Sequence, residues 1–313
     1  MIRALRPTDI AAVLAFSRQR DSVDVLADDD LPRIGFSIRE TIERSLALRP
    51  GRETWIAIES GRVDGIVSAQ ARFGADMWDI DALRIAASVD ADRVCLSLLD
   101  HLMHAAHEEG ILKVFLRLPA EANWSVVARQ AGFARYARES TYVSSLPPNA
   151  EPVDIDTMRP RRPADHLALF HLYSSLVPLG VREVEAMTLQ EWRWLDNWGV
   201  VAPVRPRLPG NRRDFIVAHD GEIDVWLQIR QRQRRVQMLL DPTRSDVAEG
   251  LVHFAIAHIR GIDAIRFVAR DYQESLRRVL SDSGFVETES EDLFARILTV
   301  RVPDMRLIPA RAL

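Results

Sequence analysis

The sequence predicts a mixed α/β (α+β) fold built twice in tandem, each copy a mostly antiparallel sheet flanked by helices. Three observations carry that expectation. The 313 residues are 47% hydrophobic, enough apolar material for two cores of ordinary domain size. A polar, proline-rich run, Pro147-Pro148-Asn149-Ala150-Glu151-Pro152, lies near the midpoint. The pattern of turns and apolar spacings in the first half recurs about 155 residues later, a period suited to duplication and too long for a solenoid unit. Proline removes backbone donors and disfavours helix before it, so 147–157 reads as a linker between domains spanning 1–146 and 158–313.

Each half opens alike. Ile2-Arg3 with Arg6-Pro7-Thr8-Asp9 matches Met158-Arg159 with Arg162-Pro163-Ala164-Asp165. A short strand is followed by proline at a helix entry and an acid in the first turn, where the helix dipole favours negative charge. Ile10, Val13 and Leu14, and Leu167, Leu169 and Phe170, then recur at helical spacing. Next come two hairpins, Trp55–Asp64 and Phe215–Asp224, aligned without a gap and turning at Ser60-Gly61 and Asp220-Gly221. Glycine accepts the positive φ of such turns at no steric cost.

A third strand follows (Asp79–Ala86; Val236–Leu240), then a helix (Val94–Glu109; Val247–Ile259). A buried strand (Leu112–Leu118; Ala264–Ala269) leads to a short helix ending at Gly132-Phe133 or Ser283-Gly284-Phe285, where glycine suits the residue after a helix. Terminal strands, Arg138–Leu146 and Leu293–Val302, are expected to close each half on its own sheet. Antiparallel hairpins followed by a strand–helix–strand crossover give a mixed sheet.

Composition excludes several functions. A net charge of −4 gives no general attraction to nucleic acid or anionic lipid. The single cysteine, Cys95, leaves no intramolecular disulfide or cysteine-rich metal cluster and suits a reducing cytoplasm. The start carries charge and proline where a signal peptide needs an apolar run, and no stretch approaches the roughly 20 apolar residues of a membrane span. The expectation is a cytoplasmic protein with no membrane and no specific nucleic-acid partner. It would be a monomer with internal pseudo-symmetry, or a weak homodimer.

Several residues stand out as chemistry. Asp79 and Asp81 share one face of a strand at period two and read as a solvated strand edge or as candidate catalytic bases able to take a proton from an ammonium group through water; Tyr136 and Tyr142 read as sheet packing or as candidate proton donors. His101, His104 and His107 step around their helix rather than converge, and no metal site is expected. Cys95 heads that helix, where a thiol pKa can fall, though a small apolar filler is the commoner role. Arg230-Gln231-Arg232-Gln233-Arg234-Arg235, at a hairpin tip, is the densest basic run, with Arg205, Arg207, Arg212 and Arg213 before it. It reads as a solvated turn or as a patch for phosphate or an acidic partner. Trp192, Trp194 and Trp198 on a capped helix read as packing or as a pocket lining. Asp28-Asp29-Asp30 reads as solvated loop.

The order of elements resembles the GNAT superfamily of N-acyltransferases. The residues that carry the likeness are the hairpin Gly61-Arg62-Val63-Asp64-Gly65, the strand–loop–helix from Leu83 to Leu99, and Glu121-Ala122-Asn123 leading to Gly132-Phe133. The second half carries Gly221, Leu239-Leu240-Asp241-Pro242, and Tyr272-Gln273 leading to Gly284-Phe285. The likeness implies acyl transfer from acetyl-CoA or another acyl-CoA to a primary amine, of a small molecule or of a protein, by direct attack. It also implies that Leu83, Arg84, Ile85, Arg93, Val94, Cys95 and Asn123 of one half, and Leu239, Leu240, Arg244 and Gln273 of the other, lie along the acyl-CoA.

The loops are degenerate. The family's glycine-rich turn is here Asp90-Ala91-Asp92-Arg93-Val94-Cys95 and Thr243-Arg244-Ser245-Asp246-Val247-Ala248-Glu249, and the positions of its proton-donating tyrosine are Ala128 and Leu280. The alternative is therefore a catalytically inactive GNAT-derived protein that binds a ligand or partner.

Overall fold

A computed structural model describes residues 1–17, 22–26, 51–72, 76–87, 90–144, 155–185, 212–219, 221–259 and 264–298. The Pro147–Pro152 linker, Asp28–Asp30, Arg205, Arg207 and the tryptophans at 192, 194 and 198 lie outside these residues.

The first half runs β1 (Ile2–Ala4), α1 (Ile10–Ser17), β2 (Ser22–Asp24), β3 (Arg52–Glu59), β4 (Arg62–Ala71), β5 (Met77–Ala86), α2 (Ala91–Glu108), β6 (Lys113–Pro119), α3 (Trp124–Gln130) and β7 (Ala134–Ser144). The second runs β8 (Met158–Pro160), α4 (His166–Leu176), α5 (Leu179–Glu185), β9 (Arg212–His219), β10 (Glu222–Arg230), β11 (Arg235–Leu240), α6 (Ala248–His258), β12 (Ile265–Arg270), α7 (Glu274–Asp282) and β13 (Val286–Ile297). Among the described residues, each element except β2 and α5 has its counterpart.

The repetition reaches individual atoms. Arg3 donates two bonds to the Asp9 carboxylate at 2.7 and 2.8 Å, and Arg159 does the same to Asp165 at 2.8 and 2.7 Å. Each carboxylate also accepts the amide three residues before it, from Arg6 or Arg162. The acid thus ties the entering strand to the first helical turn, and its arginine holds its pKa below the usual carboxylate range.

All the strands join one sheet, in the order β1-β3-β4-β5-β6-β13-β7-β12-β11-β10-β9-β8, with β2 attached to β5. This corrects the expectation that each half closes on its own terminal strand. β13, from the end of the second half, lies between β6 and β7 of the first. β7 in turn pairs with β12 of the second. The halves have exchanged closing strands. An exchange is sterically simple because β7 and β13 are alike in length and each follows a short helix ending in glycine.

Alternation distributes side chains between two faces. On one face Trp55, Val67, Trp78 and Leu116 pack under α2 and α3, and Val225, Val236, Met238 and Phe267 pack under α6 and α7. Phe294 of β13 is 1% exposed and belongs to the first of these cores. On the other face Ile56 and Ile66 meet α1, while Ile216, Leu239 and Leu293 meet α4 and α5. Lys113 of β6 donates to the carbonyls of Glu183 and Val184 at the end of α5, a further link between halves.

Gly65 on β4 is fixed by close approach. A Cβ there meets Leu98 Cδ1 at 2.8 Å, Val94 Cγ1 at 3.1 Å and the Arg84 carbonyl at 3.3 Å. Gly65→Ala is expected to cost about 1–3 kcal/mol through overpacking against α2, measurable by urea denaturation; an unchanged midpoint contradicts the close contact.

Candidate active site

The site is set by two forks in the sheet. β5 and β6 run parallel and pair only from Met77 with Lys113 to Asp79 with Phe115. β11 and β12 pair only from Arg235 with Arg266 to Gln237 with Val268. Beyond these short ladders the strands continue without pairing each other. Each opening leaves one strand edge to be satisfied by something else.

In the first fork that something is the chain itself. β4 already holds one edge of β5 at Arg84 and Ile85, so β2 takes the other. Ser22, Val23 and Asp24 pair with Ala86, Ile85 and Arg84. The Val25 amide donates to the Leu83 carbonyl at 2.9 Å, and Arg84 pairs with Asp24 at 3.3 Å. Leu83, Arg84 and Ile85 stand at the fork, but their exposed edge is filled. Val94 and Cys95 are buried beneath β4. The Cys95 thiol has its pKa pushed up to about 12 by burial and by Asp92, so the activated helix-head thiol is excluded. Arg93 is exposed beside Asp90, which accepts the Arg93 amide as helix cap. Asn123 is exposed and makes no side-chain cap.

The second fork is held differently. Among the described residues no strand pairs with the fork-side edge of Met238, Leu239 and Leu240. One side chain spans the gap: the Gln273 amide donates to the Met238 carbonyl at 2.8 Å, and its oxygen accepts the Arg270 amide at 2.9 Å. A side chain can rotate away where a paired strand cannot. The loop beyond is a 3-10 turn, Pro242–Val247, capped by Asp241, whose carboxylate accepts from the Thr243 amide and hydroxyl. Arg244 is engaged by Asp224 at 2.9 Å and by His219 at 2.8 Å. It lies beside the loop, with part of its charge already offset.

This fork opens into a cavity of about 280 Å³ where Met238, Leu239 and Gln273 face Tyr173, Trp226 and Tyr272. A neighbouring cavity of about 360 Å³ gathers Asp79, Asp81 and Tyr136 from the first half, so the three candidate catalytic residues do meet. They do not meet as free groups. Asp81 is ion-paired with Arg52, and Asp79 with Arg72 at 3.3 Å. A bulge between Ala82 and Ile80 makes Asp81 the extra residue of β5, displacing it from the simple alternation expected. Tyr136 stacks edge-on with Phe115, and burial, then Glu185, raises its pKa.

Between the cavities lies an ionic cluster that the sequence did not disclose. Glu139 on β7 accepts from Arg117 at 2.8 Å and Arg235 at 2.9 Å, with Arg270 at 3.5 Å. Burial alone would raise its pKa, but the three guanidiniums outweigh that and lower it from 4.5 to about 2. Glu185 accepts from the Tyr173 hydroxyl at 2.9 Å and from Arg270 at 2.7 Å. The one available signal is in the strands themselves. Gln228 and Arg230, and Arg235 and Gln237, are polar at period two in otherwise apolar segments, marking one polar, buried face. The basic run is thus no solvated tip: Arg234 and Arg235 are 9% and 8% exposed. Among the described residues no group of histidine, cysteine and carboxylate side chains is placed to hold a metal ion, and no helix is long and apolar enough to cross a membrane.

Comparison with solved structures places this architecture. A GCN5-related N-acetyltransferase from Sphaerobacter thermophilus aligns over 95% of each chain, with a TM-score of 0.56 and 15% identity. A tandem GNAT protein from the clavulanic acid biosynthesis pathway aligns over 95% of this chain and 98% of its own, with a TM-score of 0.54 and 13% identity. The chain has the tandem GNAT fold. No protein-family model matches the sequence, and no curated protein matches it, so the likeness is one of GNAT fold alone. The GNAT forks explain why two sheets fused edge to edge still part twice.

Proposed function

We propose that the protein is an acyl-CoA-dependent N-acyltransferase, with acetyl-CoA the simplest donor, and that its second half is the competent one. The observation that supports this is the asymmetry of the forks: among the described residues the first is filled by β2, while the second is spanned by the Gln273 side chain and opens into a cavity. Acyl-CoA fits the first fork poorly, since β5 has no edge to offer and Asp90 and Asp92 repel a diphosphate. It fits the second better, through the Met238–Leu240 edge and the Arg244 side chain. The substrate supplies an activated acyl thioester. The chain's part is to hold that arm along β11, exclude water with Trp226 and Tyr173, and manage protons. Tyr272, its pKa raised by burial, remains protonated and is placed beside the fork to protonate the departing thiolate. Glu185, or a water it orders, takes the proton that the attacking amine releases.

A second reading, a GNAT-derived binding protein without catalysis, is favoured by the aspartates that cap both loops. A thermal-shift titration separates them. Acetyl-CoA at a hundred times its Kd is expected to add about 2.7 kcal/mol. Asp241→Ser keeps a cap but removes a charge from the loop, and is expected to tighten binding about threefold, whereas Asp90→Ser leaves it unchanged. No shift with any acyl-CoA supports the second reading.

A further inference from the structure

We infer that Gln273 is a displaceable plug: its carboxamide holds the place at the second fork that an amide of the incoming acyl donor takes, so binding there requires the side chain to leave. The inference rests on the acyltransferase reading, and it reverses the supporting role that the family resemblance gives this residue. The two forks turn the same carbonyl toward the gap. Gly65 and Val225 stand equally far past the hairpin glycines Gly61 and Gly221, and they pair with Ile85 and Leu240. One step of the alternation earlier, Leu83 and Met238 are therefore equivalent. The Leu83 carbonyl accepts the Val25 amide at 2.9 Å; the Met238 carbonyl accepts the Gln273 side-chain amide at 2.8 Å. Both residues are buried, where a carbonyl left without a donor is costly. Each fork needs an N–H at this point, and each has found one by a different means.

The means differ in how firmly the donor is held. Val25 is buried in the first core and continues the β2 ladder along β5, so releasing its amide means unpairing a strand. Gln273 is half-buried, lines the cavity and belongs to no strand. It is the N-cap residue of α7, but its side chain reaches across the fork instead of capping that helix. The side-chain oxygen accepts the Arg270 amide at 2.9 Å, and the Gln273 backbone amide donates to the Arg270 carbonyl, also at 2.9 Å. That backbone bond keeps the turn between β12 and α7 closed when the side chain rotates. Rotation then presents the Arg270 N–H and the Met238 C=O to the fork together. One donor and one acceptor so placed complement an amide, the group that a carboxamide imitates. An arm bearing an amide satisfies both; a hydrocarbon arm satisfies neither. Plug and ligand compete for the same two partners, which lowers the apparent affinity by the fraction of molecules in the open arrangement. Two hydrogen bonds to neutral groups make that factor about tenfold.

The test is calorimetric titration of the full chain with acetyl-CoA, the parent against Gln273→Ala and Gln273→Met, with hydrogen exchange of the Arg270 amide followed before any acetyl-CoA is added. Alanine removes the plug; methionine keeps its length and removes both hydrogen bonds. Both variants are expected to bind about tenfold more tightly than the parent, and their Arg270 amides to exchange faster. Where the two variants differ, the methionine variant decides, because it keeps the volume. Unchanged or weaker affinity overturns the plug and leaves the acyltransferase reading standing, since Gln273 then contributes nothing or holds the ligand. Binding by the variants alone supports the plug in its strongest form. No binding by any of the three removes the reading and the plug together. An Arg270 amide that exchanges as slowly in the variants as in the parent overturns the plug whatever the affinities, because the side chain is then not what protects it.

Discussion

Phe294→Ala is expected to destabilise the whole chain by about 3–5 kcal/mol in a single cooperative transition. Phe294 belongs to a strand of the second half, yet its side chain fills the core of the first, with Leu98, Leu116 and Phe133. Removing the ring leaves a cavity between β6 and β7 that α2 and α3, already packed, cannot collapse to fill. The strand that carries it also supplies the ladders on both of its sides. Loss of this contact is therefore shared by both halves. Calorimetry on the variant should give equal van't Hoff and calorimetric enthalpies, the mark of one unit. Two transitions, with only one shifted, mean that the halves fold independently and that the strands are not exchanged.

Glu139→Gln carries the other large effect, about 3–5 kcal/mol, because the buried Arg235 and the half-buried Arg117 and Arg270 lose the anion they share while the side chain keeps its size. The same group gives a pH signature. Its folded pKa, about 2, lies below the ordinary 4.5, so the folded state favours the ionised form. The resulting stability, on the order of 3 kcal/mol, is fully present above pH 4.5 and is lost as pH falls toward 2. In the glutamine variant this part of the acid dependence should vanish. Denaturant midpoints measured between pH 6 and 2.5 check it. An acid profile identical to the parent's assigns the dependence to other carboxylates, such as Asp9, Asp165 and Asp292, whose pKa values are also lowered by arginine partners.

Much of the fold was legible because its signals are local. The Gly61 and Gly221 hairpins, the proline and acid at each helix entry, and the apolar spacing of α2 each act within a few residues. The choice of closing strand is not local. β7 and β13 follow equivalent helices and present equivalent patterns, so nothing in their sequences says which sheet each completes. β2 escaped notice for a related reason, since Ser22–Asp24 is too short to show alternation and forms a strand only because β5 offers an unpaired edge. At the site, Asp79, Asp81 and Tyr136 are recognisable as residue types and do share a cavity, but the aspartates' partners come from elsewhere in the chain, Arg52 from β3 and Arg72 from just past the end of β4. Arg230 and Arg235 were visible as charge. The burial of Arg235 was not, since it depends on Glu139 arriving from the other half.

Hydrogen–deuterium exchange with and without acetyl-CoA tests the account most directly, because it reports the fork that is used. Slowed exchange of backbone amides at Leu239 and Leu240 and in the Thr243–Ala248 loop, with 83–95 unchanged, is the predicted result. Protection at Leu83–Cys95, with release of the amides of β2, contradicts it and transfers the site to the first half.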